Sequence, residues 1–248
     1  MRRHDLLAEL HRLLSPRSYL EIGVNVGGSM TLSRTRSIGI DPYYSLTQEL
    51  LCDVHLVRTS SDEFFAREHP LAHFDEPLID LAFIDGMHLA EYAFRDFVNV
   101  ERFTHPGSVV VIDDMLPRDV PEARRDRSVP SGRTAWAGDV YKILATLREL
   151  RPDLVCLEVD TAPTGTVVVI NPDPTNRALL EAADDVVESY VVPDPQDVPA
   201  AILDRRRAHQ PEALLDLPVW GELVAARDLP VADARARVTQ AVAPLRAV

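Results

Sequence analysis

Two apolar runs in the middle of the chain, Leu81–Ile84 and Val109–Ile112, break off in acid. The first stops at Asp85, the second at Asp113 and Asp114. Neither alternates apolar with polar residues, which is the pattern of a strand covered on both faces, as in a parallel sheet. The helix-length segment 88–103 separates them and sets Ala90, Ala93, Phe94 and Phe97 on one face. A strand, a helix and a second strand of this kind form a right-handed crossover. Neighbouring strand ends lie roughly 5 Å apart. The three carboxylates should therefore meet at the carboxyl edge of the sheet, where open α/β folds bind ligands. Gathered there, they repel one another unless a cation lies among them.

Other runs extend the pattern. Residues 4–14 space Leu6, Leu7, Leu10, Leu13 and Leu14 along one helical face, which Ser15-Pro16 stops. Tyr19–Val24, Ser37–Ile40 and Val54–Val57 read as strands, and Ile79–Ile84 as a fourth. The glycine-bearing stretch GVNVGGSM leads from the first strand into a predicted helix of about two turns. SSDEFFAREH predicts another helix, capped by Ser60 or Ser61. His105-Pro106-Gly107 turns the chain into the fifth strand. Residues 115–135 hold Arg118, Arg124, Arg125, Arg127 and Arg133 without periodicity. This is a long loop of the sort that covers a binding edge. Helix resumes over 138–150, and Leu154–Val159 and Thr166–Ile170 suit a closing antiparallel hairpin. Proline-punctuated helix follows over 176–189, 198–208, 212–227 and 231–246. The expected architecture is α/β: a doubly wound, mostly parallel seven-stranded sheet over 1–174, with a C-terminal helical extension over 175–248.

Composition narrows the partners. An apolar fraction of 46% in 248 residues supports a substantial core. The net charge of −13, with no basic cluster, argues against DNA, RNA or a membrane surface as the main partner. Cys52 and Cys156 are far apart and form no CxxC, which fits a reducing cytosol. The opening MRRHDLLAELHRLL lacks the unbroken apolar core of a signal peptide, and no run approaches the ~20 residues of a membrane span. A cytoplasmic protein is expected, and its amphipathic end helices predict a homodimer.

The chemistry starts at Glu21-Ile22-Gly23-Val24-Asn25-Val26-Gly27-Gly28, which closes a strand. Glycine there lets backbone pass close to a ligand. Asp41 ends the next strand, placed to accept hydrogen bonds from ribose hydroxyls. A dinucleotide fingerprint needs glycine at position 25, where this chain has asparagine, and a pyrophosphate disfavours a neighbouring acid such as Glu21. A cationic, phosphate-free nucleoside tolerates that acid. S-adenosylmethionine, with its ammonium and sulfonium, is such a ligand.

ExGxxxGG, IGIDP, SSDEFF and the IDGMH…VVVIDDM pair, in this order over about residues 17–170, resemble a class I S-adenosylmethionine-dependent methyltransferase with a Rossmann-like sheet. The D-G-x-H and D-D pairing is similar to that of metal-dependent O-methyltransferases of small molecules, the catechol and macrolide-sugar types. The resemblance implies that Glu21, Gly23, Asn25, Gly27 and Gly28 hold the methionine part of the cofactor, with Asp41 on the ribose. It implies that Ser61 and Asp62 lie beside the adenine, Asp62 accepting from its exocyclic amine, and that Asp85 borders the cofactor as well.

Asp85, Asp113 and Asp114 offer hard oxygen ligands, a set that suits Mg²⁺. Open positions on such an ion would take two oxygens of a hydroxylated small molecule, a sugar or natural-product intermediate, and lower the hydroxyl pKa. His88, three residues after Asp85, is the candidate base, with Asp85 beside it in the catalytic group. Trp136, Asp139 and Tyr141 suit either a pocket wall or the core. Three other readings stay open. They are a metal-dependent hydroxylase or hydrolase on the same carboxylate site, as in cephalosporin-hydroxylase-related proteins, an NAD-dependent oxidoreductase, and a non-enzymatic binding protein.

Overall fold

A computed structural model describes residues 1–128 and 135–247, so Arg133 lies outside the described residues. The chain opens with helix α1 (Arg3–Leu14), which buries Leu6, Leu7, Leu10 and Leu14 and ends at Ser15 in a left-handed conformation. Strands β1 (Ser18–Ile22), β2 (Arg36–Ile40) and β3 (Val54–Val57) follow, then the short helix α2 (Ser61–Phe65). Next come β4 (Ile79–Ile84), α3 (Ala90–Glu101) and β5 (Thr104–Ile112). After the arginine-bearing loop lie α4 (Lys142–Leu150), β6 (Val155–Val159) and β7 (Thr166–Ile170). Helices α5 (Ala178–Glu181), α6 (Ala183–Tyr190), α7 (Ala200–Leu203), α8 (Pro211–Leu215), α9 (Val219–Ala226) and α10 (Val231–Val242) end the chain.

The seven strands form one sheet in the order β3-β2-β1-β4-β5-β7-β6. The first five run parallel, and β7 is antiparallel to both β5 and β6. This is the expected sheet, closing hairpin included. β4 and β5 are buried almost throughout, as their unbroken apolar runs require. β5 is longer than expected and absorbs His105-Pro106-Gly107, with an irregular register against β4 between Ile79 and Leu81.

The expected helix after Gly28 is absent. Residues Met30–Leu32 form a single 3-10 turn, and no helix connects β2 to β3. The sheet face that such crossover helices would cover is instead covered from the chain's ends. Leu6, Leu10 and Leu14 of α1, Trp220 and Leu223 of α9 and Val238 and Val242 of α10 share one core with Tyr19, Phe83, Val109 and Val111. The opposite face packs Phe94 and Phe97 of α3 with Ile143, Leu144 and Leu147 of α4 and Tyr190 of α6. Each such side chain contributes about 1.5–3 kcal/mol on burial, so the C-terminal helices are part of the core. The predicted helix 198–208 is a short helix and a turn, and 212–227 is two helices broken at Pro218, because proline cannot supply the backbone N–H an unbroken helix needs. No helix among the described residues is long and apolar enough to cross a membrane.

Candidate active site

The carboxyl ends of β1, β2, β4 and β5 open into a cavity of about 1100 Å³. Gly23 begins the turn after β1 with φ +93°, and a Cβ there would lie 1.9 Å from the Asp85 carbonyl oxygen. Only glycine fits such a close crossing of two chains. The Gly23 N–H donates to the Ile40 carbonyl (2.9 Å) and the Asp85 N–H to Ile22 (2.9 Å), which stitches the turn to both neighbouring strands. Asn25 also adopts a left-handed conformation, φ +48°, as asparagine tolerates. Its N–H donates to Asp41 Oδ2 (2.7 Å), and the Tyr43 N–H donates to Asp41 Oδ1 (2.6 Å). Asp41 is thus held facing the cavity, with lone pairs left for a ligand. Gly27, with φ +84°, continues the turn, and Gly28 packs against the His4 ring.

Glu21 lies behind this turn, wholly buried. It accepts from Tyr19 Oη (2.6 Å) and Ser29 Oγ (2.7 Å) and is not on the cavity surface. Burial pushes its carboxyl up to about 8, against the two hydrogen bonds that favour its ionised form.

The three strand-end acids do converge, and two protein cations lie among them. Arg3 of α1 places Nε 2.9 Å from Asp113 Oδ2 and Nη2 3.7 Å from Asp85 Oδ2. His88 places Nε2 3.4 Å from Asp85 Oδ1 and Nδ1 3.0 Å from Asp114 Oδ2. His88 Nδ1 also lies 2.7 Å from the Trp136 carbonyl oxygen, and Thr164 Oγ1 donates to Asp114 Oδ1. Burial, with Asp114 and Asp85 nearby, holds the Asp113 carboxyl far above its ordinary range. Burial likewise lifts Asp114 to about 6, opposed by His88. Burial alone would lower His88, but Asp114 and Asp85 outweigh it and raise the imidazole to about 9.

Asp85, His88 and Asp114 each present one ligand atom, all within 4.8 Å of one another. His88 thus stands with two of the three expected carboxylates, as a further ligand or as a base beside them, and Asp113 instead faces Arg3. The Arg3–Asp113 contact is at ion-pair distance but is not aligned as a hydrogen bond. Both Asp113 oxygens and Arg3 Nε are buried without a hydrogen-bond partner. Orphaned buried oxygens beside an oxygen and imidazole donor set fit a divalent cation such as Mg²⁺ or Mn²⁺.

On the far side of the turn, Ser60 Oγ caps α2 by accepting from the Glu63 N–H (3.3 Å). Ser61 lines the cavity and donates to Asp96 Oδ1. Asp62 turns outward, 3.1 Å from Arg95 Nε, and does not line the cavity. The acid that does is Asp96 of α3, which burial raises to about 7. Sequence reading missed it, although an aspartate between Phe94 and Phe97 on a packed helix was the available signal.

The loop after β5 roofs the cavity. Trp136 stacks on His88, with ring centroids 4.9 Å apart and planes at 14°, and its Nε1 donates to the Arg124 carbonyl (2.7 Å). Arg127 lies over the other part of the same roof, 5.2 Å from the Trp136 ring centre. Asp139 caps α3 through the Ala90 N–H (2.9 Å) and pairs with Arg125 (2.6 Å), while Tyr141 is buried in the core. Trp136 is therefore the wall, and the other two are structural.

Residues 20–115, from β1 through the last strand-end acid, match the family model described as a methyltransferase domain. A Klebsiella pneumoniae protein assigned to the O-methyltransferases shares the fold at 15% identity and a TM-score of 0.50, covering 69% of this chain and 80% of that one. The fold is that of a class I methyltransferase. The O-methyltransferase TomG from Streptomyces achromogenes, involved in tomaymycin synthesis and solved in complex with SAM, is 20% identical, with a TM-score of 0.49 over 69% of this chain and 80% of its own. The MycE methyltransferase from the mycinamycin biosynthetic pathway, solved with Mg and SAH, is 18% identical, with a TM-score of 0.46 over 68% of this chain and 48% of its own. No curated protein matches the chain in sequence. The matched stretch, residues 20–115, contains the glycine turn, Asp41, Asp96 and all three strand-end acids, so the acids that line the cavity lie inside it.

Proposed function

We propose that the chain is an S-adenosylmethionine-dependent O-methyltransferase that uses a divalent cation, Mg²⁺ by its donor chemistry, and acts on a hydroxyl of a small molecule. The observation that carries this reading is the meeting of Asp85, His88 and Asp114 within 4.8 Å, beside the glycine turn. S-adenosylmethionine would supply the methyl group, and the cation would acidify and orient the acceptor hydroxyl.

The protein's own contributions follow from position and charge. Asp41 takes the ribose hydroxyls. Ser61 and Asp96 border the adenine, and a protonated Asp96 can donate as well as accept. Glu21, raised to about 8 behind the turn, is poised to ionise beneath a ligand that carries an ammonium. Asp85 and Asp114 bind the cation, with Asp113 behind them. His88 Nδ1–H donates to the Trp136 carbonyl, which leaves Nε2 as the basic atom. Without a cation, Asp85 and Asp114 keep His88 protonated at neutral pH. A cation held by Asp85 and Asp114 would offset their pull on the imidazole, which would leave Nε2 able to accept the hydroxyl proton. The methyl group would pass in one displacement, the oxygen–carbon bond forming as the sulfonium–carbon bond breaks, with the protein's part being alignment of the two.

Calorimetry with S-adenosylhomocysteine, NAD⁺ and Mn²⁺ tests the reading. S-adenosylhomocysteine and Mn²⁺ should bind, and Asp114→Asn should weaken Mn²⁺ while leaving S-adenosylhomocysteine within a few-fold. Tight NAD⁺ binding with no S-adenosylhomocysteine binding would end it.

A further inference from the structure

The cavity is divided by charge. Its acids, Asp41, Asp85, Asp96 and Asp114, all come from the strand ends and α3. Its lining also holds Arg3 among those acids and, away from them, Arg2, Arg118, Arg124 and Arg127, in a chain of net charge −13. Three of these are engaged. Arg3 faces Asp113, Arg118 pairs with the buried Glu122, and Arg124 Nε donates to the Pro121 carbonyl (2.8 Å). Arg2 and Arg127 have no carboxylate partner among the described residues.

Both free arginines are nonetheless held in place. Arg2 begins α1 and forms a backbone bridge with Ala162 in the β6–β7 connection. The Ala162 N–H donates to the Met1 carbonyl (3.0 Å), and Pro163 beside it lines the same cavity. Arg127 rests on Trp136, whose ring is fixed by its bond to Arg124 and its stack on His88. An acidic protein that sets two guanidinium groups with no carboxylate partner among the described residues in the lining of one cavity offers a receptor for negative charge. The neutral or cationic end of a ligand belongs at the acid floor, and its anionic end at the roof.

We propose that the acceptor carries a carboxylate or phosphate, gripped by Arg2 and Arg127, and that these two residues set acceptor specificity. The inference rests on the methyltransferase reading for the word acceptor, but the anion site itself can be tested alone. The indole of Trp136 separates His88 from Arg127, 4.9 Å from one and 5.2 Å from the other.

The test is calorimetry of the full chain with inorganic phosphate and, separately, malonate, alongside S-adenosylhomocysteine. At least one anion should bind with weak, roughly millimolar affinity that falls with added salt, as expected of solvent-facing charges. Arg127→Gln and Arg2→Gln should each weaken it by roughly fivefold or more, with Arg127→Lys in between. S-adenosylhomocysteine affinity should be unmoved. A preference for phosphate or malonate assigns the anion's class. Binding of neither anion, or equal binding by both glutamine variants and the parent, overturns the inference. Anion binding without S-adenosylhomocysteine binding leaves the site standing and removes the methyltransferase reading instead.

Discussion

Glu21→Gln isolates the cost of keeping an acid behind the glycine turn. Burial raises the Glu21 carboxyl from 4.5 to about 8. At ~1.36 kcal/mol per tenfold change in proton affinity, this corresponds to roughly 5 kcal/mol of stability that depends on pH. The sign follows from proton binding. Below pH 4.5 the folded and unfolded chains are both protonated at this group, and its contribution is full. Between about 4.5 and 8 the unfolded chain ionises first, so stability falls as pH rises. Above 8 both are ionised and the loss is complete. Glutamine cannot ionise, and the Tyr19 and Ser29 hydroxyls can each rotate to donate or accept. The variant should match the parent near pH 4.5 and exceed it at pH 8.5 by up to about 5 kcal/mol, or roughly 10–20 °C in Tm for a chain of this length. Thermal melts of both proteins from pH 4.5 to 8.5 measure the difference, in which the other titrating groups cancel. A difference that does not change with pH, or a variant less stable at pH 8.5, would refute the reasoning. Above pH 8, where Glu21 is ionised, the same variant should bind S-adenosylmethionine more weakly, the cationic ligand losing more than S-adenosylhomocysteine analogues that lack the ammonium.

Arg3→Ala leaves Asp113 buried with no facing charge. Because burial holds the Asp113 carboxyl far above its ordinary range, urea unfolding should show the cost of the substitution growing as pH rises. His88→Gln removes an imidazole raised to about 9, so its stability cost should be full below pH 6.5 and vanish as pH rises through 9. Its turnover should fall by roughly 10²–10⁴ if Nε2 is the base, and an unchanged pH–rate profile would exclude that role. Gly23→Ala puts a Cβ 1.9 Å from the Asp85 carbonyl oxygen. S-adenosylhomocysteine binding should be lost along with part of the melting temperature, and retention of both would show that the turn can move.

The sheet was legible because its strands are buried on both faces and so spell unbroken apolar runs, as at 81–84 and 109–112. The convergence of their terminal acids followed from parallel pairing alone. What escaped came from tertiary placement. Arg3 sits in an amphipathic opening helix and reads as surface, yet α1 lies across the strand ends and delivers it to Asp113. Asp62 and Asp96 are alike in sequence, but α2 turns the first towards Arg95 and α3 turns the second into the cavity. The missing helix after Gly28 has a local cause, since two glycines and a serine precede Met30 and stabilise helix poorly. The layer it would have formed is supplied by α9 and α10, which no local pattern near residue 28 could announce.

Gly138 ties the roof to His88. It has φ +63°, and a Cβ there would lie 1.7 Å from the His88 carbonyl oxygen, so the two backbones touch. Two residues earlier, the Trp136 carbonyl fixes which imidazole nitrogen bears hydrogen. The 138 backbone thus cannot shift without carrying the 136 carbonyl and its hydrogen bond to the imidazole, so the His88 ring resonances would report any displacement of this stretch.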